Sequence, residues 1–302
     1  MASQETPEPE SPKLGAAMPP LRRYEYKGVT LESATNPIEN IRAMETFAMR
    51  DGDIVIVAYP KAGTHLLYEI LYGILHGTTR PPNERGFAAG LEFSFQTPTG
   101  RDVGHVRLTS APTSSPRTMS THLQRRMAPP GLAQPDKDVR VIVVMRNPKD
   151  VAVSYYNFER HNPFSQSQDS WDDFYRQFLD GKAVYGPYYD HVLGWWQMRD
   201  DPHFLFLKYE DMNRDLTSAV RTIASFLQKN LSDDAVEAVA EACSFQTMKE
   251  RFSQSSIPYY PHLTRKGKIG DWKNYFTPEQ SREFDSEYED KMADTGLSFD
   301  FE

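Results

Sequence analysis

The residues with the clearest chemistry form a short loop, Tyr59-Pro60-Lys61-Ala62-Gly63-Thr64. The loop follows an apolar run, 53–59, that is typical of a buried parallel strand, and it precedes an amphipathic segment, 64–76, that predicts a helix. Small residues let the backbone approach a ligand closely, and free N–H groups at a helix N-terminus attract an anion. Lys61 adds a positive charge and Thr64 adds a hydroxyl donor. The loop therefore predicts a phosphate site, although its pattern differs from the G-x-x-x-x-G-K-[ST] motif of nucleotide hydrolases.

Two more segments place basic residues where an anion could bind. The segment 141–154, VIVVMRNPKDVAVS, predicts a strand, a turn and a helix, with Arg146 at the strand end and Ser154 on the helix. An arginine fork in that position can bind a second phosphate. The segment 265–273, RKGKIGDWK, is a basic loop in a chain whose net charge is −8. Because two of the three segments follow strands, and α/β folds bind ligands at the carboxyl ends of strands, we expect one convergent polyanion site.

Strand and helix patterns alternate along the rest of the chain. Buried strands are predicted at 53–59, 139–145 and 204–207, and helices at 64–76 and about 149–159. Residues 77–138 are rich in Gly, Pro and Arg, which predicts long loops and a place for an acceptor pocket. The alternation predicts an α/β fold, with one domain built on a central parallel sheet flanked by helices. Residues 1–22 are rich in Pro, Glu and Ser and predict a disordered tail, which leaves 23–302 as the domain.

Composition limits the partners of this protein. A net charge of −8 gives no long-range attraction for nucleic acid or an anionic membrane. Cys243 is the only cysteine, so neither an internal disulfide nor a cysteine-based zinc site can form. The apolar runs are far shorter than the roughly 20 residues that span a bilayer, and residues 1–20 lack the apolar centre of a signal peptide. We therefore expect a cytoplasmic protein with no nucleic-acid or membrane partner.

In their order and spacing, these segments resemble the cytosolic sulfotransferase family. The loop at 59–66 resembles its 5′-phosphosulfate loop, 146–154 its 3′-phosphate motif and 265–273 its C-terminal binding signature. The resemblance runs from about residue 25 to the C-terminus and implies a P-loop-like sulfotransferase fold. It also implies transfer of a sulfuryl group from 3′-phosphoadenosine 5′-phosphosulfate (PAPS) to a hydroxyl or amine of a small, aromatic or lipophilic acceptor. The other product is 3′-phosphoadenosine 5′-phosphate (PAP), and no metal is implied.

The resemblance further implies roles for individual residues. His122 matches the catalytic base of an in-line attack, and an unperturbed pKa near 6.5 would leave a histidine mostly neutral at cytosolic pH. Lys61 would contact the oxygen that bridges phosphate and sulfate. Nucleotide binding is expected of Lys61, Ala62, Gly63, Thr64, His65, Leu66, Arg146, Ser154, Tyr209, Phe245, Met248, Arg265, Lys266 and Gly267. Within this set, Arg146, Ser154, Arg265, Lys266 and Gly267 would hold the 3′-phosphate, and Tyr209 and Phe245 would contact the adenosine.

The chain departs from the family pattern in three places. Ser120 stands where the family often has a lysine, so one positive donor is missing unless Arg117 or Arg125 substitutes for it. Leu66 stands where the family has a tryptophan that stacks on adenine. Pro278 and Arg282 replace residues of the family's dimer motif, which weakens the case for a homodimer through that motif.

Two other functions stay open. A sulfotransferase-like protein that binds the nucleotide but transfers weakly or not at all is suggested by Ser120 and Leu66. A small-molecule or nucleoside kinase is the second, and the absence of a longer loop ending in Gly-Lys-Ser/Thr argues against it. The acceptor is open as well, because phenols, steroids, amines and other alcohols are not distinguished. Five aromatic residues could line its pocket or belong to the core: Tyr155, Tyr156, Phe158, Phe164 and Tyr259.

Overall fold

The structure is a computed structural model, and it describes residues 22–77, 79–81, 89–97, 100–112, 116–161, 170–257 and 259–302. Residues 1–21 of the predicted tail and the aromatic candidate Phe164 lie outside the described residues. The tail and the domain boundary at residue 23 therefore stay predictions.

The described residues form nine strands and twelve α-helices. The strands are β1 (Arg23–Tyr26), β2 (Val29–Glu32), β3 (Ile54–Ala58), β4 (Ala89–Gly90), β5 (Ser94–Thr97), β6 (Gly100–Val103), β7 (Thr118–Thr121), β8 (Arg140–Met145) and β9 (Phe204–Lys208). The helices are α1 (Ile38–Ala43), α2 (Thr64–His76), α3 (Gly104–Ser110), α4 (Pro130–Ala133), α5 (Pro148–His161), α6 (Trp171–Leu179), α7 (Tyr188–Trp196), α8 (Tyr209–Arg214), α9 (Leu216–Phe226), α10 (Asp233–Ala242), α11 (Phe245–Ser253) and α12 (Pro278–Met292). Short 3-10 helices lie at Arg125–Met127, Tyr260–His262 and Asp271–Asn274.

The central sheet has five strands in the order β4-β7-β3-β8-β9, and every neighbouring pair is parallel. All five residues of β3 are buried, as its continuous apolar run predicts for a strand covered on both faces. The α/β fold with a central parallel sheet flanked by helices is confirmed. Because all strands point the same way, their carboxyl ends form a single edge of the sheet.

The segment 77–138 is more regular than its sequence predicted. It contains the helix α3 and the strand β7, which pairs directly with β3 near the centre of the sheet. The expectation of long irregular loops is therefore wrong for this part of the segment. Strand β7 reads Thr-Met-Ser-Thr and shows no apolar run, so its pairing with β3 rather than its own pattern determines its structure. His122, the residue that follows β7, is thereby carried to the carboxyl edge.

A buried ion pair closes the opposite, amino edge of the sheet. Asp53 precedes β3 and Arg117 precedes β7, and the Arg117 Nε donates to Asp53 Oδ1 at 2.8 Å. The same guanidinium also donates to the carbonyl oxygen of Leu108 at 3.2 Å. Burying a charge is tolerated only when it is paired and hydrogen-bonded, as it is here. Within the part of the chain that the structure describes, no helix is long and apolar enough to cross a membrane.

Candidate functional site

The three predicted phosphate segments meet at the carboxyl edge of the sheet. The Arg146 Nη1 donates to the carbonyl oxygen of Lys61 at 3.5 Å, which joins the second segment to the first. Asp150, one turn after Arg146, accepts the backbone N–H groups of Gly270 and Trp272 at 2.8 and 3.0 Å, which joins it to the third. Segments that lie far apart in the chain therefore converge, as their sequence predicted.

The first loop contains a position where only a glycine fits without a steric conflict. Gly63 has a φ of +130°, and a Cβ added there would lie 3.1 Å from Tyr209 and 3.2 Å from Val144. Lys61 also has a positive φ, +70°. Thr64 begins α2, and its buried Oγ1 has no hydrogen-bond partner in the described residues. The loop thus presents a tight backbone, the free N–H groups of a helix start and one spare hydroxyl.

Lys61 lies in a cluster of positive charge. It is half-buried, and its Nζ lies 4.1 Å from the centre of the Phe158 ring. Burial, followed by the charges of Arg146 and Arg265, lowers the pKa of Lys61 to about 7. The ammonium is disfavoured because it is removed from water and lies close to the positive charges of Arg146 and Arg265. A bound polyanion would relieve that repulsion.

Arg146 lies directly after β8 and is 9% exposed. Its guanidinium carbon lies 4.3 Å above the centre of the Tyr209 ring, and Nη2 lies 3.6 Å from Asp150 Oδ2. The Nε is buried without a hydrogen-bond partner in the described residues. A buried donor without an acceptor costs about 1–3 kcal/mol, so this arrangement favours a ligand that supplies an acceptor.

The side chains of the C-terminal basic loop pair with a carboxylate of the loop itself. Asp271 pairs with Arg265 at 2.5 Å and with Lys266 at 2.6 Å. Gly267 has a φ of +63°, and a Cβ there would lie 2.2 Å from the Phe245 ring. Phe245 therefore packs flat against the loop backbone at the start of α11. This pairing brings a predicted adenosine residue beside the predicted 3′-phosphate residues.

The remaining predicted nucleotide residues surround these groups. Ala62 is buried, and Ser154 is half-buried on α5. Met248 is buried in a small apolar cluster with Phe252, and Leu66 packs against that cluster. An aliphatic side chain, Leu66, thus fills the space beside α11.

His122 is held in one tautomer. Its Nδ1 lies 2.7 Å from the carbonyl oxygen of Ala58, and since a carbonyl only accepts, Nδ1 carries the proton. The Nε2 is then left with a lone pair. Burial lowers the pKa of His122 to about 4, helped by the charge of Lys61 and opposed by the hydrogen bond to Ala58. The rings of Phe93 and Tyr185 meet the imidazole edge-on, with centroids at 5.6 and 5.3 Å.

Glu92 binds the backbone of His122, and the sequence analysis did not identify this residue. Its Oε1 accepts the backbone N–H of His122 at 2.8 Å, and its side chain is fully buried. Burial raises the pKa of this carboxyl to about 7, and the hydrogen bond from the His122 backbone opposes the rise. Other missed residues are Asp150, Asp271 and Tyr68. Only Asp150 and Asp271 gave a sequence signal, because each lies inside a segment already singled out for its basic residues.

The two arginines that could have supplied a cation in place of Ser120 are both bound to other groups. Arg117 is bound to Asp53 at the amino edge, across the length of β7 from His122. Arg125 Nε donates to the carbonyl oxygen of Ala133 at 3.0 Å, and its Nη1 donates to Gln197 at 3.1 Å. The Oγ of Ser120 instead accepts a hydrogen bond from the Tyr68 hydroxyl at 2.6 Å.

The aromatic candidates for an acceptor pocket divide between core and site. Tyr155 and Tyr156 are buried in the core, where Tyr155 donates to the carbonyl oxygen of Val184. Phe158 lies at Lys61, and Tyr259 packs on the Tyr260 ring at 5.1 Å. Among the residues described, no group of three or more His, Cys, Asp or Glu side chains could hold a metal ion.

Comparisons with known proteins match most of this chain to sulfotransferases. A family model described as the sulfotransferase domain matches residues 51–296. Sulfotransferase 6B1 of Danio rerio is 32% identical over 279 residues, which cover 91% of this chain and 90% of that protein. Sulfotransferase 1B1 of Mus musculus is 35% identical over 276 residues, covering 86% and 89%. The crystal structure of mouse sulfotransferase SULT7A1 complexed with PAP has a TM-score of 0.77 at 32% identity, covering 90% of this chain and 95% of that one.

Proposed function

The chain belongs to the sulfotransferase family, and from this we propose that it transfers a sulfuryl group from PAPS to a hydroxyl or amine of a small acceptor. In this reaction, the acceptor oxygen or nitrogen forms a bond to sulfur while the bond between sulfur and the bridging phosphate oxygen breaks. The products are the sulfated acceptor and PAP. One observation carries the proposal: the three basic segments meet at the carboxyl edge, where Arg146 Nη1 donates to the carbonyl oxygen of Lys61 at 3.5 Å and Asp150 accepts the N–H of Gly270 at 2.8 Å.

The residues at this edge fit a nucleotide with two separate phosphate groups. The buried Thr64 Oγ1 and Arg146 Nε have no partners in the described residues, and each could donate to a phosphate oxygen. The absence of a Cβ at Gly63 lets the first loop pack closely against Tyr209 and Val144, and the N–H groups of that loop could bind a 5′-phosphate. On the 3′ side, Arg265 and Lys266 are held beside Arg146 by the ties of Asp150 and Asp271.

His122 acts as the general base in this proposal. Its Nε2 lone pair accepts the proton of the acceptor hydroxyl while Ala58 keeps the proton on Nδ1. A pKa lowered to about 4 keeps the imidazole neutral at physiological pH. The same low basicity makes it a weaker base in the resting protein, and the sulfonate and phosphate charges of the substrate would raise its pKa once bound.

Lys61 stabilises the leaving group. Its ammonium, together with the N–H groups at the start of α2, binds the negative charge that develops on the phosphate. Phe158 lies against its Nζ at 4.1 Å, which limits the positions that the side chain can take. The aromatic edges of Phe93 and Tyr185 at His122 support an aromatic or lipophilic acceptor.

The test is transfer of radiolabelled sulfate from PAPS to a pooled panel of phenols, steroids, other alcohols and amines. We expect transfer by the wild type and a loss of about 10²–10⁴-fold in His122→Ala, the usual contribution of general base catalysis. His203→Ala is the matched control, because His203 lies at the amino end of β9 and is paired with Asp201. An active His122→Ala variant would disprove the role of this base.

Two residues of the site favour a second outcome, nucleotide binding without sulfate transfer. Ser120 and Leu66 occupy positions where the family has a lysine and a tryptophan, and neither Arg117 nor Arg125 replaces the lost charge. If the wild type binds PAP but transfers no sulfate to any member of the panel, the protein is a nucleotide-binding relative with weak or no transfer.

A further inference from the structure

We propose that the paired hydroxyls of Tyr68 and Ser120 donate a hydrogen bond to the sulfuryl group. The inference rests on the proposed function and adds a catalytic residue, Tyr68, to it. The Tyr68 hydroxyl lies 2.6 Å from Ser120 Oγ. Two neutral side chains on different elements thus meet beside the proposed base.

The strand determines where this hydroxyl pair lies. Ser120 lies in β7 opposite Ile56, and His122 follows the strand two positions later, where its Nδ1 contacts the carbonyl oxygen of Ala58. Side chains two positions apart along an extended chain lie on the same side, so we infer that Ser120 and His122 share one side. The rise of a strand puts them about 7 Å apart along its axis. Tyr68 reaches the pair from the first turns of α2, the helix that begins at the phosphate loop. The pair therefore lies where β7, which leads to the proposed base, contacts α2, which begins at the phosphate loop.

Two hydroxyls in one hydrogen bond leave one proton to donate. Each hydroxyl carries one proton and two lone pairs, and the mutual bond uses a single proton. Ser120 is 1% exposed, whereas Tyr68 is half-buried. In the structure the Tyr68 hydroxyl donates to Ser120 Oγ. The same contact can form with Ser120 as the donor, and the phenolic proton is then free to donate to a ligand oxygen. Burial raises the pKa of Tyr68, so the phenol keeps that proton.

The Tyr68 ring is fixed by its neighbours. His65 meets it edge-on with centroids at 5.2 Å, and His65 in turn contacts Tyr260 at 5.9 Å. Ser120 anchors the hydroxyl end. A donor held at both ends donates without reorganising during the reaction, which is the property that makes such donors effective.

The experiment compares the equilibrium affinities of purified wild type, Tyr68→Phe and Ser120→Ala for PAPS and for PAP. The two nucleotides differ in the sulfuryl group alone. Loss of a hydrogen bond to a charged group should weaken PAPS binding by about 10- to 100-fold in Tyr68→Phe. PAP binding should stay within about twofold of wild type. Ser120→Ala, which leaves the phenol unanchored, should shift PAPS in the same direction by a smaller factor.

Tyr72→Phe is the matched control, because Tyr72 lies one turn further along α2. It should bind both nucleotides as the wild type does. A Tyr68→Phe protein that keeps its PAPS affinity, or that loses PAPS and PAP affinity in parallel, would overturn the inference and leave the pair a packing contact. A wild type that binds neither nucleotide would instead overturn the proposed function itself, so the two failures are distinct.

Discussion

Asp150 binds the backbone at Trp272 through a carboxylate oxygen, Oδ1, at 3.0 Å, while its Oδ2 takes the N–H of Gly270 at 2.8 Å. The carboxylate is 1% exposed and also accepts from the Asn147 side chain. It therefore fixes the C-terminal basic loop against the helix that follows Arg146. The geometry of the proposed 3′-phosphate site thus depends on Asp150, a side chain to which we assign no direct role in the reaction.

Asp150→Asn should weaken PAP binding by at least about tenfold, because an amide replaces one of two acceptor oxygens with a donor. The free energy of unfolding should fall by about 2–4 kcal/mol, since hydrogen bonds of a buried charge are lost. Calorimetric titration with PAP and urea unfolding measure the two effects. Asp233→Asn, at an exposed ion pair, is the control and should change neither by a measurable amount. Unchanged PAP binding in Asp150→Asn would contradict this role.

Gly63→Ala should abolish nucleotide binding or reduce it by more than about tenfold. A Cβ would enter the loop at 3.1 Å from Tyr209, and the φ of +130° strains any residue other than glycine. Gly77→Ala is the matched control, since Gly77 also has a positive φ, +65°, but no atom of the described residues lies within 4 Å of its added Cβ. That variant should lose about 1 kcal/mol of stability at the end of α2 and keep its PAP affinity. Equal affinities in the two variants would contradict the steric argument.

Binding of PAP above pH 7 should take up a proton. The pKa of free Lys61 is lowered to about 7, so the side chain is largely neutral at pH 8–9, and a bound polyanion restores the charge. Affinity should therefore fall as pH rises from 7 to 9, by up to about tenfold per unit. Calorimetry in two buffers of different ionisation enthalpy counts the protons. Lys61→Arg, which stays charged, should remove the uptake. An affinity independent of pH in this window would count against the charge cluster.

Stability should fall on the acid side of about pH 6.5. Burial lowers the pKa of His191 to about 3, and both of its ring nitrogens lack partners in the described residues. Because the folded pKa lies below the unfolded value, the unfolded state binds the proton first. The contribution is thus complete above pH 6.5 and is lost as pH falls towards the folded pKa. Between pH 6.5 and 5 this group alone should cost about 1–2 kcal/mol.

Urea unfolding of wild type and His191→Leu at several pH values measures this effect. The variant should lose less stability than the wild type between pH 6.5 and 5, and the two should run parallel between pH 7 and 8. Parallel curves over the whole range would disprove the assignment to His191.

Much of the site could be predicted because its signals are local. The apolar runs of β3 and β8 predicted buried parallel strands, and the residues that follow each strand fall at one edge by topology alone. The convergence of Lys61 and Arg146 followed from that rule, whereas Arg265 follows no strand and was expected there because its loop is basic.

The rest depends on contacts between distant parts of the chain. Strand β7 is polar in sequence and becomes a central strand only because it pairs with β3. Glu92 carries no motif, and its role comes from a backbone N–H thirty positions away. Arg117 looked available for catalysis because its charge is visible in the sequence, whereas its partner Asp53 is 64 residues distant. Patterns within one element cannot reveal such pairings.

The ion pair of Asp53 and Arg117 bears on how this protein could be improved in the laboratory. It closes the amino edge of the sheet, separated by the full length of β7, about 13 Å, from His122. Substituting both partners with apolar residues of similar volume is often neutral or stabilising for a buried pair. Mutant libraries that aim at heat tolerance should therefore concentrate on the amino edge of the sheet. Substitutions there lie far from His122, so we expect them to leave turnover and acceptor choice unchanged.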